Sequence, residues 1–464
     1  MAKPKYTFLW GDWQPTYTLD WNIDNFTEYR KFPWNQVDNI IEISENQQIM
    51  CFHSKKDIEN DIERGKLFLN SKFRKNFLIN LKKDYKNHWK YFKELKRINW
   101  KTKSNDKLFK AFIKAMDNCS KIISYFRATQ QEGTHCIIEE LKKIYKDDAN
   151  TLIMSPKKDL VIKESEDWQK LVLGNFSKKK ILDHAYKYPW TVMSHSTVEE
   201  AIKTLREKYQ YDKEKIVLKD YNKEKEELAK KQNKILSKNN KGKKLVRFVQ
   251  RLNLSRMEVK SCWAGTDFYI MPLMKEIAKR SSENADDLYK YYTVEEIKAL
   301  LKEKKISYED KRKRDDCFVL LWKNGKKQFF SGKEAKKVAK EELDELYLLE
   351  QKDEIKGLSA NSGRCIGIAR ILNANNVEQT RKFRKIFKKG EILITQMTQP
   401  NIMDIASKAG AIVTDEGGIL SHAAIISREF GVPCIVGTHF ATRLIKNGDK
   451  IEVDANKGVV RKKK

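Results

Sequence analysis

The chain has 464 residues and a mass of 54.7 kDa, which corresponds to about three domains. Hydrophobic residues make up 40%, enough to bury real cores, while only 8 Pro and 19 Gly are present. That excludes wholesale disorder, argues against many short strands and favours a largely helical protein. The net charge is +30, from 94 Lys and Arg against 64 Asp and Glu. A balance this basic suits an anionic partner. The charge is not gathered into one arm, because residues 357–464 hold 18 basic and 9 acidic residues. Much of the lysine alternates with glutamate, as in Lys223-Glu224-Lys225-Glu226-Glu227, which is the pattern of solvated helix faces. Nucleic acid is therefore the alternative partner and not the first. The 7 cysteines are scattered without a C-x-x-C, so neither a disulfide framework nor a zinc site is expected, and no metal is assigned. The N-terminus has no apolar signal region and no stretch approaches a membrane span. The expected location is the cytoplasm, with no membrane partner.

Residues 1–50 are rich in aromatics and poor in helical period. Trp10, Trp13, Trp21 and Trp34 lie among Tyr6, Phe8, Tyr17, Phe26, Tyr29 and Phe32. An irregular segment packed onto the following helices is the expectation, and a stacking surface for an aromatic or sugar-like acceptor is the alternative. Residues 55–150 read as long polar helices, with Phe73, Phe77 and Leu81 at helical spacing. Residues 166–350 continue in that style. A helical stretch ends at Pro189, Ser196 to Glu199 reads as a capping box, and Thr293 to Glu296 reads as another. Lys238 to Lys244 reads as an exposed connection between helices. The expected division is a helical region with an aromatic-rich start over 1–160, a helical domain over 161–355, and a compact α/β domain over 357–464. The last boundary rests on texture. Gly357 opens a segment holding eleven of the 19 glycines, and short apolar runs at 366–372, 392–394, 411–413, 434–436 and 451–453 alternate with helical stretches.

The informative segment runs from Thr414 to Gly437. A strand ends at Val413 or Thr414. A turn passes through Gly417-Gly418, where positive φ and close backbone approach are cheap. Ser421 is the N-cap and the helix starts at His422. Gly431-Val432-Pro433 ends it. A histidine at a helix N-terminus is held neutral by the helix dipole, hence nucleophilic, and the free N–H groups there favour an arriving phosphate. A neutral imidazole beside an anion site is suited to taking and giving a phosphoryl group. A buried histidine capping a loop is the bland alternative.

Gly417-Gly418, Ser421-His422-Ala423-Ala424, Arg428-Glu429, Gly431-Val432-Pro433 and Gly437 together resemble the phosphohistidine signature of the phosphoenolpyruvate-utilising enzymes. That family includes phosphoenolpyruvate synthase, pyruvate phosphate dikinase and rifampicin phosphotransferase. The flanks match as well: Gly357 to Ala360, Gly390 to Ile394 leading to Thr398-Gln399-Pro400, and the closing hairpin Asn447 to Asp454. The resemblance covers residues 357–464 and implies a swivelling (mobile) phosphohistidine domain. It makes His422 the residue phosphorylated and Gly417, Gly418 and Ser421 its phosphate cradle. Arg428, at i+6 from His422, is given a supporting role, with pairing to a neighbouring carboxylate as the alternative. Glu429 reads as structural, and His439 is given no role. More loosely, residues 166–350 resemble the helical region that precedes this domain in rifampicin-phosphotransferase-like proteins.

Neither an ATP-grasp domain nor a phosphoenolpyruvate-binding barrel is recognisable. The resemblance then implies a phosphotransferase component without its own donor site. Mg-ATP or phosphoenolpyruvate would supply the phosphate through a partner, with an ATP-grasp subunit acting in trans, as in the two-chain organisation of phenylphosphate synthase. No cofactor is expected on this chain itself, and the acceptor is not identified. The rival expectation is a non-catalytic binding or regulatory protein that retains the histidine domain.

Overall fold

The computed structural model describes residues 5–12, 19, 20, 23, 32–45, 48–174, 176–192, 197–213, 220–302, 304–343, 354–374, 377–398, 402–418 and 421–463. It is mainly helical as far as residue 343, with strands and short helices after it.

Residues before 357 also build a sheet that composition gave no reason to expect. Strands β1 (Tyr6–Asp12), β2 (Asn39–Glu45), β3 (Gln48–Ser54), β4 (Cys317–Lys323) and β5 (Lys326–Ser331) pair in the order β1-β3-β2-β4-β5. All four pairings are antiparallel. The expectation of an irregular segment over residues 1–50 is therefore corrected at β1, β2 and β3. The pairing of β2 with β4 also crosses the expected boundary between 160 and 161. Both strands are covered on both faces, so neither shows the polar–apolar alternation that marks a half-buried strand. The β4–β5 turn is Asn324-Gly325 with φ of 52° and 76°, the paired positive values that a tight hairpin turn needs.

The helical region, residues 55–316, is inserted between β3 and β4. Its helices include α1 (Ser71–Leu95), α2 (Asn105–Ala128), α3 (Val198–Asp212), α4 (Lys243–Ala264) and α5 (Thr266–Arg280). On α1 the buried residues Phe77, Leu81, Asp84, His88, Phe92 and Leu95 recur every three or four positions, one stripe along the helix. Trp34 is fully buried in the same core and stacks on Phe68 at 4.9 Å between ring centroids. The packing reading of the aromatic segment thus holds for Phe32 and Trp34. Trp13, Tyr17, Trp21, Phe26, Tyr29 and the side chain of Trp10 lie outside the described residues. The box at the start of α3 is formed by Thr197 and Glu200, one residue later than expected; Ser196 lies outside the described residues. The second box, Thr293 with Glu296, stands as read. The 239–242 connection joins two helices, as expected. Helix α6 (Gly332–Glu342) covers one face of the five-stranded sheet through Ala335 and Ala339.

The C-terminal domain holds eight strands: β6 (Glu354–Lys356), β7 (Leu358–Asn361), β8 (Arg364–Leu372), β9 (Ile392–Thr395), β10 (Ala411–Thr414), β11 (Cys434–Val436), β12 (Lys450–Asp454) and β13 (Val459–Lys462). Their order is β6-β13-β12-β8-β9-β10-β11-β7, with the four central strands β8 to β11 parallel. The first and last strands of that order, β6 and β7, are separated in sequence by Gly357 alone. The sheet therefore curls until its two edges nearly meet. Gly357 sits at the closure, where its N–H donates to Gly458 O at 2.9 Å. A Cβ there would lie 2.6 Å from Ile435 Cγ2 and 2.8 Å from Val436 O, so only glycine fits. Successive residues of the central strands divide between two cores. Ile392, Ile394, Ala411, Val413 and Ile435 face one, and Leu393, Ile412, Cys434 and Val436 face the other. Helix α7 (His422–Phe430) covers the second core through Ala423, Ala424 and Ile426.

Candidate active site

The site lies where β10 hands over to α7, beyond the C-terminal edge of the parallel strands. Crevices at this edge are the usual ligand sites of open α/β sheets. β10 ends at Thr414, as the sequence indicates. Thr414 Oγ1 turns back to donate to Glu416 O at 2.7 Å, which bends the chain. Gly417 follows with φ of 106°. A Cβ on Gly417 would lie 2.8 Å from Ser421 Cβ and 2.9 Å from its Oγ, so this glycine lets the turn fold against the cap. Gly418 differs. Its φ is not positive, and a Cβ there would meet no atom of the described residues within 4 Å.

Ser421 is the N-cap, with φ −69° and ψ 163°, and Ser421 N donates to Gly418 O at 2.9 Å. Its Oγ accepts from Ala424 N at a long 3.4 Å. The backbone N–H groups of His422 and Ala423, at the first two helical positions, have no carbonyl four residues back within the helix. They and the dipole make this end of α7 receptive to an anion. His422 is the first residue of α7; its side chain lies outside the described residues, as do those of Ile425 and Glu429. The helix stops at Gly431 with φ of 67°, a left-handed cap.

Arg428 is six residues beyond His422, about 9 Å along the helix. Its Nε donates to Ala360 O on β7 at 3.1 Å. Beside it, Asn361 Nδ2 donates to Ser427 O on α7 at 3.3 Å and to Val432 O, just past the helix, at 2.8 Å. These contacts fasten α7 to β7, and this contact of Arg428 serves helix packing. His439 lies in the loop after β11 with φ of 65°.

The residue that sequence reasoning passed over is Asp415. It stands between β10 and the glycine turn and is buried at 3% exposure. Asp415 Oδ1 lies 3.0 Å from Thr438 Oγ1 and accepts from Thr442 N at 3.2 Å, and Oδ2 accepts from Thr442 Oγ1. Burial pushes its carboxyl up to about 6, and the hydrogen bonds from Thr442 and Thr438 oppose that shift. The main chain reinforces the link: Thr438 N donates to Thr414 O at 3.0 Å, and His439 N donates to Asp415 O at 2.9 Å. A carboxylate two residues before Gly-Gly, with Glu416 between them, was visible in the sequence. Its partners, more than twenty residues later, were not. Among the described residues, no group of three or more His, Cys, Asp or Glu is arranged to hold a metal ion, and no helix is long and apolar enough to cross a membrane.

Comparison with known proteins centres on this region. Residues 387–458 match the family model described as "PEP-utilising enzyme, mobile domain". A protein of Staphylothermus marinus named "Probable phosphoenolpyruvate synthase" is 46% identical over 113 residues, which are 24% of this chain and 13% of that protein. One of Archaeoglobus fulgidus with the same name is 42% identical over 125 residues, 27% of this chain and 16% of that protein. The "Phosphoenolpyruvate synthase" of Pyrococcus furiosus is 45% identical over 108 residues, 23% of this chain and 12% of that protein. The chain thus spans between 12% and 16% of the length of these relatives. The C-terminal region of this chain is a mobile domain of the phosphoenolpyruvate-utilising enzyme family.

Proposed function

We propose that the chain is a phosphotransferase component that carries a phosphoryl group on His422 and passes it to an acceptor. The observation that supports this most directly is the Ser421 cap, which sets His422 at the first position of α7 in a domain of the mobile-domain family. A ring nitrogen of neutral His422 attacks a phosphorus of the donor, the terminal one for a phosphoryl form or the β-phosphorus of ATP, with AMP leaving, for a pyrophosphoryl form. The P–N bond forms as the donor's P–O bond breaks, and the donor oxygen leaves with the electron pair. In the second half the acceptor hydroxyl oxygen attacks the phosphorus and gives its proton to water, the P–N bond breaks and the imidazole leaves neutral. The N–H groups of His422 and Ala423 suit the phosphate oxygens, with Gly417 and Gly418 in the turn before them and Ser421 as the cap. The donor, Mg-ATP or phosphoenolpyruvate, is supplied through a partner, with an ATP-grasp subunit as the first candidate. Arg428 keeps a supporting role in this scheme, since its Nε contact with Ala360 O holds α7 against β7.

The test is intact mass at mildly alkaline pH after incubation with Mg-ATP, with phosphoenolpyruvate, and with each plus cell lysate. The expected result is an acid-labile gain of one phosphate (two for a pyrophosphoryl form) that is lost in His422→Ala while the fold persists by circular dichroism. The donor that works selects between an ATP-type and a phosphoenolpyruvate-type relay. Persistent labelling of His422→Ala would reject the assignment of His422. Absence of any adduct under all conditions would reject the carrier reading itself.

A further inference from the structure

The segment Thr438–Arg443 has two sides. On one side Thr438 and Thr442 hold Asp415, two residues before Gly417. On the other side the same segment meets the five-stranded sheet. The His439 and Phe440 rings lie 5.4 Å and 5.5 Å from that of Phe8 on β1, both edge to face. Phe440 stacks with Phe52 on β3 at 6.4 Å and an interplanar angle of 13°. Arg443 Nη2 pairs with Glu45 Oε2 on β2 at 3.0 Å, and these side chains are only 12% and 20% exposed. A more open pair, Arg381 Nε to Glu207 Oε2 at 2.8 Å, links the domain to α3.

The seam is thin. Among the described residues, neither core of the C-terminal domain takes a member from before Ile355. In the other direction, Phe440 is the one described residue of that domain in the apolar cluster of the sheet. Two bodies with separate cores, joined among the described residues by the rings of His439 and Phe440, the largely buried Arg443–Glu45 pair and the more open Arg381–Glu207 pair, are arranged to part without either losing its core.

We propose that Thr438–Arg443 is a reversible latch by which the mobile domain seats on the five-stranded sheet, and that it ties this seating to the phosphohistidine turn through Asp415. The sheet face presented by Phe8, Phe52 and Glu45 is then the receiving surface, and its partner is this chain's own C-terminal domain. Leaving that surface removes the outer support of the loop that holds Asp415, so seating and the shape of the Gly417 turn change together. The latch is independent of the phosphoryl chemistry, and its test involves no phosphorylation.

The experiment is hydrogen exchange by mass spectrometry on the full chain. The variants are Glu45→Arg, Arg443→Glu, the double swap and Phe440→Ala. Each single variant is expected to speed exchange about tenfold in residues 6–12 and 438–443, with β8, β9 and β10 unchanged. The double swap is expected to return exchange to near the wild-type rate, because the ion pair re-forms with its signs reversed. Unchanged exchange at 6–12 in all single variants would overturn the proposal. Equal acceleration in β8 to β10 would also overturn it, because the segment would then be part of the domain's own fold and not a latch. A double swap that adds the two single effects would overturn the role of the ion pair.

Discussion

The two sheets of this molecule are assembled in opposite ways. All eight strands of the C-terminal sheet fall between Glu354 and Lys462, and its two cores draw on that stretch alone among the described residues. The five-stranded sheet takes β1, β2 and β3 from residues 6–54 and β4 and β5 from residues 317–331, with the whole helical region between them. The first design is self-contained, with the short-range order that suits a body that moves as a unit. The second makes the sheet a clasp across the rest of the chain: β2 and β4 can pair only after residues 55–316 bring their ends together. The difference teaches which perturbations spread. A fault in the clasp should be felt at both ends of the insertion, while a fault in the mobile domain should stay local.

The largest expected effect tests the clasp. Ile41 is fully buried on β2, between its partners Phe52 on β3 and Leu321 on β4. Ile41→Ala should cost about 2–5 kcal/mol through lost burial and the cavity left behind. Hydrogen exchange should then rise together in 39–54 and 317–331 and stay unchanged in 364–414. A rise confined to 39–54 would break the picture of one sheet shared across the insertion.

A smaller effect, and one that depends on pH, belongs to the mobile domain. The carboxyl of Asp415 is raised in the folded protein from 3.8 to about 6. Its contribution is therefore fully present below the unfolded value and is lost as pH rises through the folded one. Between pH 4 and pH 7 the stability of the wild type should fall by about 2 kcal/mol relative to Asp415→Asn. The variant keeps an acceptor for the Thr442 amide but has no charge to bury. Denaturation followed by a probe on the mobile domain, across a pH series, checks this. Parallel pH profiles for the two proteins would show that Asp415 does not titrate in that range.

The smallest effect lies in the helical region. Thr293 caps the helix Val294–Leu300, with Glu296 completing the box. Thr293→Ala should cost about 1 kcal/mol, visible as a lower melting midpoint of the helical region. The mobile domain should be unaffected, and a matching drop there would mean that the two bodies unfold as one.

These comparisons also explain what was legible in the chain. The Thr293 box, the Ser421 cap, the left-handed Gly431 and the end of β10 at Thr414 are all chemistry within a few residues, and each could be read directly. The two glycines of the turn looked alike in sequence. The structure separates Gly417, which has a positive φ and no room for a side chain, from Gly418, which shows neither constraint among the described residues. Arg428 was adjacent to the motif in sequence, but its carbonyl partner is on β7. The first sheet was missed for a different reason. Runs such as Phe318 to Trp322 are buried on both faces and carry no alternation, so periodicity cannot tell them from a buried helix. One signal was available: Asn324-Gly325 between apolar runs, the tight-hairpin dipeptide, is there in the sequence.

By itself, then, the sequence determined the local geometry of the candidate site: a glycine turn, a hydroxyl cap and a histidine at the first position of a helix. Positive φ at glycine and side-chain capping are properties of a few consecutive residues. Only the tertiary structure decided that Asp415 is buried against Thr438 and Thr442, that Gly357 closes the curled sheet, and that Phe440 and Arg443 reach the five-stranded sheet. Burial and strand pairing join residues far apart in the chain, and no local pattern specifies which partner a buried carboxylate, an aromatic ring or an apolar run will meet.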